Sequence, residues 1–216
     1  MAKRSILFSM LLMVVSGAVS QEDAFSFLVP EFFGPSDFIT HCPLESTMIR
    51  GKDDCAWEGG GFKAQRKKGP HLALDLETID PEGKVFAAAS GKVALVGLEK
   101  NWKNLGNVVF IQHDDGSYFT LYGHLSEVLV KAGERVSGGQ QIGTLGYSGN
   151  AKCLKDKGLR MHVHFAAFRS VASSDFPAAR PITQWKQEGD ALPSTFGVVG
   201  PLDTSARLRA IHECLY

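Results

Sequence analysis

This sequence lacks the features that would place the chain in a membrane or on a nucleic acid. After residue 20, no apolar run approaches the roughly twenty residues that a membrane-spanning helix needs. The 23 basic residues are balanced by 23 acidic ones, so there is no excess positive charge to attract nucleic acid or an anionic membrane. No internal repeat or low-complexity segment occurs. We therefore expect a soluble monomer with no nucleic-acid partner and no stable membrane insertion.

Two common binding motifs are also absent. The stretch "GERVSGGQQIGTLGYSG" has no GK[ST] ending, so its glycines are expected to serve tight turns between strands and not to bind phosphate. The four cysteines show no CxxC spacing, which argues against a zinc site built from thiolates. In an exported chain they predict two disulfides, and four cysteines allow three pairings. Proximity in sequence favours Cys42 with Cys55 and Cys153 with Cys214.

The amino-terminal twenty residues have the pattern of a secretory signal peptide. Lys3 and Arg4 precede an apolar run of about fourteen residues, and Ala18-Val19-Ser20 has the small residues of a cleavage site. No cysteine precedes Cys42, which argues against a lipid anchor at that site. The sequence thus predicts a signal peptide at residues 1–20 and a periplasmic or secreted protein. An uncleaved amino-terminal anchor is the alternative.

The remaining chain has the pattern of one all-β domain with irregular ends. Prolines and glycines interrupt residues 21–55, for which we expect an irregular segment. Residues 56–170 contain short β-branched and apolar runs bounded by Gly, Asp or Asn, and Asp115-Gly116 marks the turn of a hairpin. This rhythm predicts an antiparallel, β-sandwich-like domain. Residues 171–216 are proline-rich and end in a short helix, which we expect to pack on the domain.

Two predicted strands place side chains suited to metal binding on one face each. In "MHVHF" the alternation of a strand points His162 and His164 to one face and sends Val163 and Phe165 into the core. In "PHLALDLE" the leucines alternate with His71, Ala73 and Asp75. An HxH pair alone is weak evidence, because most such pairs form a polar face without a metal.

Together these strands supply the ligands of a catalytic zinc site. Such a site takes three protein ligands from His, Asp and Glu and keeps the fourth position for water. His71, Asp75 and one histidine of the 162/164 pair satisfy that count, which leaves the other histidine to act on water or substrate. In "LYGHL" alternation places Tyr122 and His124 on a common face, where Tyr122 would orient a histidine, contact substrate or fill the wall.

These motifs, in this order, resemble the lysostaphin-type (β-lytic) zinc metallopeptidases that cut peptidoglycan cross-links. The resemblance is carried by "HLALD", "YGHL" and "MHVHF", with "GKVALVG" and "GNVVFIQHDDG" between them, and it covers about 100 residues. It implies one zinc ion held by His71, Asp75 and His164, with His162 and His124 as catalytic imidazoles. It further implies a groove floored by an antiparallel sheet. One imidazole would take a proton from the attacking water while the other stabilises the oxyanion.

The sequence departs from the family pattern near the expected groove wall. Ala73 stands where the family usually has Gly, Ala166 where Glu is common, and "GLRM" precedes the HxH motif. These departures leave the bond that is cleaved undetermined. The alternative to an endopeptidase is a zinc-binding, non-hydrolytic signalling protein, or an amidase activator or wall-binding module on the same fold. We prefer the enzyme because all five polar positions are present.

Overall fold

Antiparallel strands make up most of the described chain. A computed structural model describes residues 38–53, 55, 59–66, 69–113, 118–170, 198–211 and 214. Its strands are β1 (Thr47–Ile49), β2 (Gln65–Arg66), β3 (Gly69–Pro70), β4 (Leu74–Thr78), β5 (Lys84–Phe86), β6 (Gly91–Gly97), β7 (Asn107–His113), β8 (Tyr118–Val128), β9 (Arg135–Val136), β10 (Gln141–Leu145), β11 (Val163–Ser170) and β12 (Val198–Leu202). Its helical segments are a 3-10 turn (Gly149–Ala151), α1 (Lys152–Asp156) and α2 (Ser205–Ala210). The predicted all-β class is confirmed.

Ten of the described strands form one antiparallel sheet. Its main path runs β1-β4-β11-β8-β7-β6-β9, while β10 pairs with β5 and β8, and β12 pairs with β11. Strands β7 and β8 form the predicted hairpin, in which Phe110 lies opposite Leu121. This path brings β4, β11 and β8, which carry the candidate site residues, side by side.

Where β4 and β11 pair, side-chain alternation sends apolar side chains to one face and polar side chains to the other. Val163 and Phe165 of β11 and Leu74 and Leu76 of β4 are buried in the main apolar cluster, as the sequence predicts. Burying each large apolar side chain contributes about 1.5–3 kcal/mol. The intervening residues point to the opposite face, and the register there places His164 directly across from Asp75. Burial of the leucine, valine and phenylalanine side chains therefore fixes the face on which His164 and Asp75 meet.

A β-bulge in β8 interrupts the alternation at His124. The pairing changes from Val109 with Tyr122 to Asn107 with Leu125, so two residues of β8 oppose one of β7. His124 has a positive φ of 65°, and its N–H donates to the carbonyl of Leu105 at 2.7 Å. Tyr122 and Leu125 consequently both enter the main core. The prediction that Tyr122 and His124 share a face is therefore wrong, because simple alternation takes no account of the extra residue.

The ends of the domain contain more regular structure than the sequence predicts. Strand β1 extends the sheet beyond β4, and Ile39 and Leu44 just before it are fully buried. Strand β12 pairs with β11 despite Pro201, which an edge strand tolerates. The predicted carboxy-terminal helix begins at Ser205, directly after Thr204. The predicted signal peptide and residues 171–197 lie outside the described residues. No described helix is long and apolar enough to span a bilayer.

The disulfides differ from the predicted pairing. Cys42 bonds Cys214 and Cys55 bonds Cys153, with Cα–Cα distances of 5.2 and 6.0 Å. The prediction of Cys42 with Cys55 and Cys153 with Cys214 relied on proximity along the chain and is wrong. The fold brings both termini of the domain together and sets residue 55 beside α1, so the bonds link distant segments.

Candidate metal centre

Three predicted ligands meet where β4 and β11 pair. His71 precedes β4, Asp75 lies within it, and His164 lies opposite Asp75 on β11. His71 Nε2 is 3.2 Å from Asp75 Oδ1, His164 Nδ1 is 3.2 Å from the same oxygen, and the two nitrogens are 3.3 Å apart. Side chains from two separate sequence motifs thus point their donor atoms at a common centre.

The hydrogen bonds around His71 determine which of its nitrogens faces that centre. Its Nδ1–H donates to the Gly61 carbonyl at 3.1 Å, so a neutral ring turns the lone pair of Nε2 toward Asp75. A lone pair facing a carboxylate oxygen is repulsive unless a proton or a cation lies between them. The arrangement is the one expected of a metal-binding histidine whose other nitrogen is held by a backbone carbonyl.

Asp75 is buried yet anionic. Burial raises its pKa, but the imidazoles of His162, His164 and His71 outweigh this effect and hold the pKa well below its usual range. Its second oxygen, Oδ2, accepts a hydrogen bond from Arg66 Nη2 at 2.7 Å. The carboxylate therefore presents Oδ1 to the imidazoles while Arg66 holds Oδ2.

Arg66 is a residue of this site that the sequence does not reveal. The "KAQRKK" run suggests only a solvated loop or a cationic rim, because nothing in the sequence shows that the β2–β3 hairpin folds back onto β4. A further sign of close packing is the glycine run before it. A Cβ atom on Gly60 would lie 2.6 Å from the Cβ of Asp75, so only glycine allows that approach.

His162 and His124 lie beside the three predicted ligands. His162 Nε2 is 3.5 Å from Asp75 Oδ1, and its buried Nδ1 has no hydrogen-bond partner among the described residues. His124 Nδ1–H donates to the Ser148 carbonyl at 2.9 Å, and its ring centroid is 4.8 Å from that of His162. Burial and the nearby His162 and His164 lower the pKa of His124 well below its usual value. We call these five residues the Asp75 cluster: His71, Asp75, His124, His162 and His164.

Tyr122 is separated from this cluster. Its ring is fully buried and packs on Phe165, with ring centroids 5.4 Å apart. Its hydroxyl accepts a hydrogen bond from the Ala88 N–H at 2.8 Å and also bonds Thr120. The suggested contact between Tyr122 and substrate is therefore wrong, because the bulge at His124 directs the ring into the core.

Comparison with known proteins identifies the family. The model of peptidase family M23 matches residues 65–175, which is just over half of the chain. The chain belongs to peptidase family M23. This M23 chain is 35% identical over 112 residues to the cell division protein DipM of Caulobacter vibrioides, a match covering 50% of this chain and 18% of DipM.

Other relatives of the M23 chain match a similar stretch. It is 39% identical over 85 residues to the peptidoglycan DD-endopeptidase ShyA of Vibrio cholerae, covering 39% of this chain and 18% of ShyA. The catalytic domain of lysostaphin from Staphylococcus simulans matches 53% of this chain and 80% of that chain, at 30% identity and a TM-score of 0.41. The M23 chain thus spans less than a fifth of the length of DipM and ShyA. The predicted family resemblance is confirmed.

The donor set of the M23 chain suits zinc. Two imidazoles and one carboxylate offer ligand atoms that all lie within 4.8 Å of one another. Zinc–ligand bonds of about 2.0–2.2 Å in tetrahedral geometry separate neighbouring ligand atoms by about 3.3–3.5 Å. The measured separations of 3.2, 3.2 and 3.3 Å are close to that value. Three protein ligands also leave one tetrahedral position for water or substrate.

Proposed function

We propose that this protein is a zinc-dependent endopeptidase that hydrolyses peptide bonds in peptidoglycan cross-links. The observation that carries the proposal is the triangle of donor atoms from His71, Asp75 and His164, with mutual separations of 3.2–3.3 Å. Membership of a peptidase family supports it, as does the relative named a peptidoglycan DD-endopeptidase. A substrate in the cell wall fits the predicted signal peptide, and we propose a periplasmic or secreted location.

In this proposal, His71, Asp75 and His164 hold a single zinc ion. Asp75 supplies the negative charge, since its pKa lies well below its usual range. Burial and nearby imidazoles lower the pKa of His164, although Asp75 opposes them, so that ring is neutral and free to ligate near pH 7. The Gly61 carbonyl and Arg66 orient His71 and Asp75 from behind. Removing a partner of this kind typically lowers metal affinity or activity by about 10- to 100-fold.

His162 and His124 are the proposed catalytic imidazoles. Zinc, when bound, supplies a water of pKa about 7 and polarises the scissile carbonyl. His124 is placed to accept a proton, because its Nδ1–H donates to the Ser148 carbonyl, which leaves the lone pair on Nε2, and its lowered pKa keeps the ring neutral. His162 lies between His124 and Asp75 and is the second proposed catalytic imidazole. Its buried Nδ1 lacks a partner among the described residues. Together they would move the proton to the leaving amine and stabilise the oxyanion.

Digestion of purified muropeptides tests the proposal. The protein is stripped with a chelator, reloaded with zinc, and incubated with cross-linked muropeptide dimers, and mass spectrometry identifies the new ends. We expect hydrolysis of a cross-link peptide bond that disappears with the metal and returns with it. Zinc-loaded protein that binds one equivalent of metal and cleaves no muropeptide or glycine-rich peptide would contradict the endopeptidase. That outcome would favour the non-hydrolytic signalling or amidase-activator alternative.

A further inference from the structure

A polar cavity lies beside the Asp75 cluster. It has a volume of about 290 Å³ and is lined by residues 50–53, Glu77 and residues 159–160. Glu77 follows Asp75 by two positions on β4, so their Cα atoms are about 7 Å apart and their side chains leave the same face. Arg160 likewise precedes His162 by two positions. We call this space the Glu77 cavity. Its residue Glu77 lies two positions along β4 from Asp75, at the proposed site of hydrolysis.

Hydrogen bonds and a disulfide fix both walls of the Glu77 cavity. On one side the N–H of Arg50 donates to the Asp75 carbonyl at 2.9 Å. On the other side Tyr147 Oη donates to the Leu159 carbonyl at 2.9 Å. The Cys55–Cys153 disulfide joins the segment after residue 53 to α1, which leads into residues 159–160. The cavity is therefore part of the folded domain, with walls that cannot separate freely.

The described lining of the Glu77 cavity has more positive than negative side chains, which favours binding of an anion. Arg50 is 5% exposed and forms ion pairs with Asp53 and Glu77, so the two carboxylates share one buried guanidinium. Lys52 and Arg160 are exposed at the cavity, and neither forms an ion pair with a described carboxylate. Among the described lining residues, Arg50, Lys52 and Arg160 carry three positive charges and Asp53 and Glu77 carry two negative ones, so the described lining has one net positive charge.

We propose that the Glu77 cavity binds a free carboxylate of the peptide substrate, with Arg160 and Lys52 as its ligands. This inference rests on the proposed function, because it takes the Asp75 cluster as the site of hydrolysis. The planar guanidinium of Arg160 can bind a carboxylate through two parallel hydrogen bonds, and Lys52 adds a point charge. A peptide substrate presents such a carboxylate at a free carboxy terminus or on an acidic side chain. The cavity would therefore select peptides with a carboxylate a residue or two from the scissile bond.

A matched pair of substrates tests this assignment. One is a cross-linked muropeptide dimer with free carboxylates, and the other is the same dimer with those carboxylates converted to primary amides. We expect the wild type to cleave the free-carboxylate dimer with about tenfold higher kcat/KM, mostly through KM, since one charge-assisted hydrogen bond is lost in the amide. The double change Lys52→Gln and Arg160→Gln should bring that ratio close to one. Arg160→Lys should retain part of the preference.

The control is Lys92→Gln, an exposed lysine on β6, four strands from β4 in the sheet. It should keep the wild-type ratio. A wild-type ratio of one, or a double variant that keeps the preference, overturns the carboxylate site while leaving the endopeptidase intact. If the wild type cleaves neither dimer, the proposed function fails. Calorimetric titration of the protein with each dimer then tests separately whether the Glu77 cavity binds the carboxylate. Equal affinity for both dimers would overturn the carboxylate site.

Discussion

Two groups of buried polar residues include residues of β8: the Asp75 cluster and the hydrogen-bonded residues around Tyr122. They differ in how far their polar atoms are satisfied by hydrogen bonds. In the second group, which we call the Tyr122 chain (His113, Thr120 and Tyr122), His113 Nδ1 contacts the Ser90 carbonyl at 3.1 Å and Nε2 contacts Thr120 Oγ1 at 3.0 Å. Thr120 then bonds Tyr122, which accepts from Ala88. Every side-chain nitrogen and oxygen of the Tyr122 chain has a partner.

The Asp75 cluster leaves its polar atoms incompletely satisfied. Nitrogens of three imidazole rings each lie 3.2–3.5 Å from one carboxylate oxygen of Asp75. Three neutral rings cannot all satisfy these close contacts with hydrogen bonds. His162 Nδ1 also has no partner among the described residues. A complete hydrogen-bond network stabilises a fold by itself, whereas ring nitrogens crowded around one carboxylate oxygen are the arrangement expected of ligands that hold a cation. This contrast favours a structural role for the Tyr122 chain and supports the proposed metal binding by the Asp75 cluster.

The largest effect is expected when the carboxylate at the centre of the Asp75 cluster is removed, which tests whether this cluster binds metal and the Tyr122 chain does not. We expect Asp75→Ala to purify without zinc and to hydrolyse no muropeptide, because the two imidazole ligands then lack the anionic ligand that completes the site. Metal analysis and the digestion assay measure both losses. Asp156→Ala, an exposed aspartate at the end of α1, should behave as wild type. Full zinc content in Asp75→Ala would remove Asp75 from the ligand set.

Removing a neighbouring imidazole should separate metal binding from chemistry. We expect His162→Ala to keep its zinc but to lose about 10²–10⁴-fold in kcat, the usual contribution of a positioned proton-transfer group. His41→Ala, which changes an exposed histidine, is the control. Loss of zinc from His162→Ala would make His162 a ligand, and unchanged kcat would remove it from the proton transfer.

The sequence predicts the contents of this cluster well because strand alternation is local. Leucines at 74 and 76, and Val163 with Phe165, set the faces of β4 and β11 without any knowledge of the rest of the fold. The position of Tyr122 could not be predicted in the same way, because one inserted residue reverses the alternation. Gly123 inside a strand is the available signal, since glycine there often marks a bulge.

Long-range contacts are the part that the sequence could not supply. The pairing of Cys42 with Cys214 spans 172 residues, and only the completed sheet brings those cysteines together. Strand β1 has only three residues, too few to show a period, and Pro201 within β12 argues against a strand there. The contact of Arg66 with Asp75 likewise depends on how the two-stranded β2–β3 hairpin folds back.

A smaller effect is expected from the residue that holds Asp75 in place. Arg66→Gln should lower zinc affinity by about 10- to 100-fold, because Oδ2 loses its charged partner and the carboxylate is free to rotate. Competition with a chromophoric chelator measures this affinity independently of hydrolysis. Arg66→Lys should recover part of it, and Arg209→Gln on the exposed side of α2 should change nothing. Wild-type affinity in Arg66→Gln would show that the carboxylate needs no second partner.

The smallest effect comes from the Tyr122 chain, and it should appear in stability alone. Tyr122→Phe removes the hydroxyl that accepts from the buried Ala88 N–H and bonds Thr120, so it should lower the free energy of unfolding by about 1–3 kcal/mol. Zinc affinity and kcat/KM should not change, because the ring lies in the core. Tyr118→Phe is the matched control, since its hydroxyl bonds no described residue. A change in KM for Tyr122→Phe with unchanged unfolding would instead place Tyr122 at the substrate, and the contrast between the two buried groups would no longer hold.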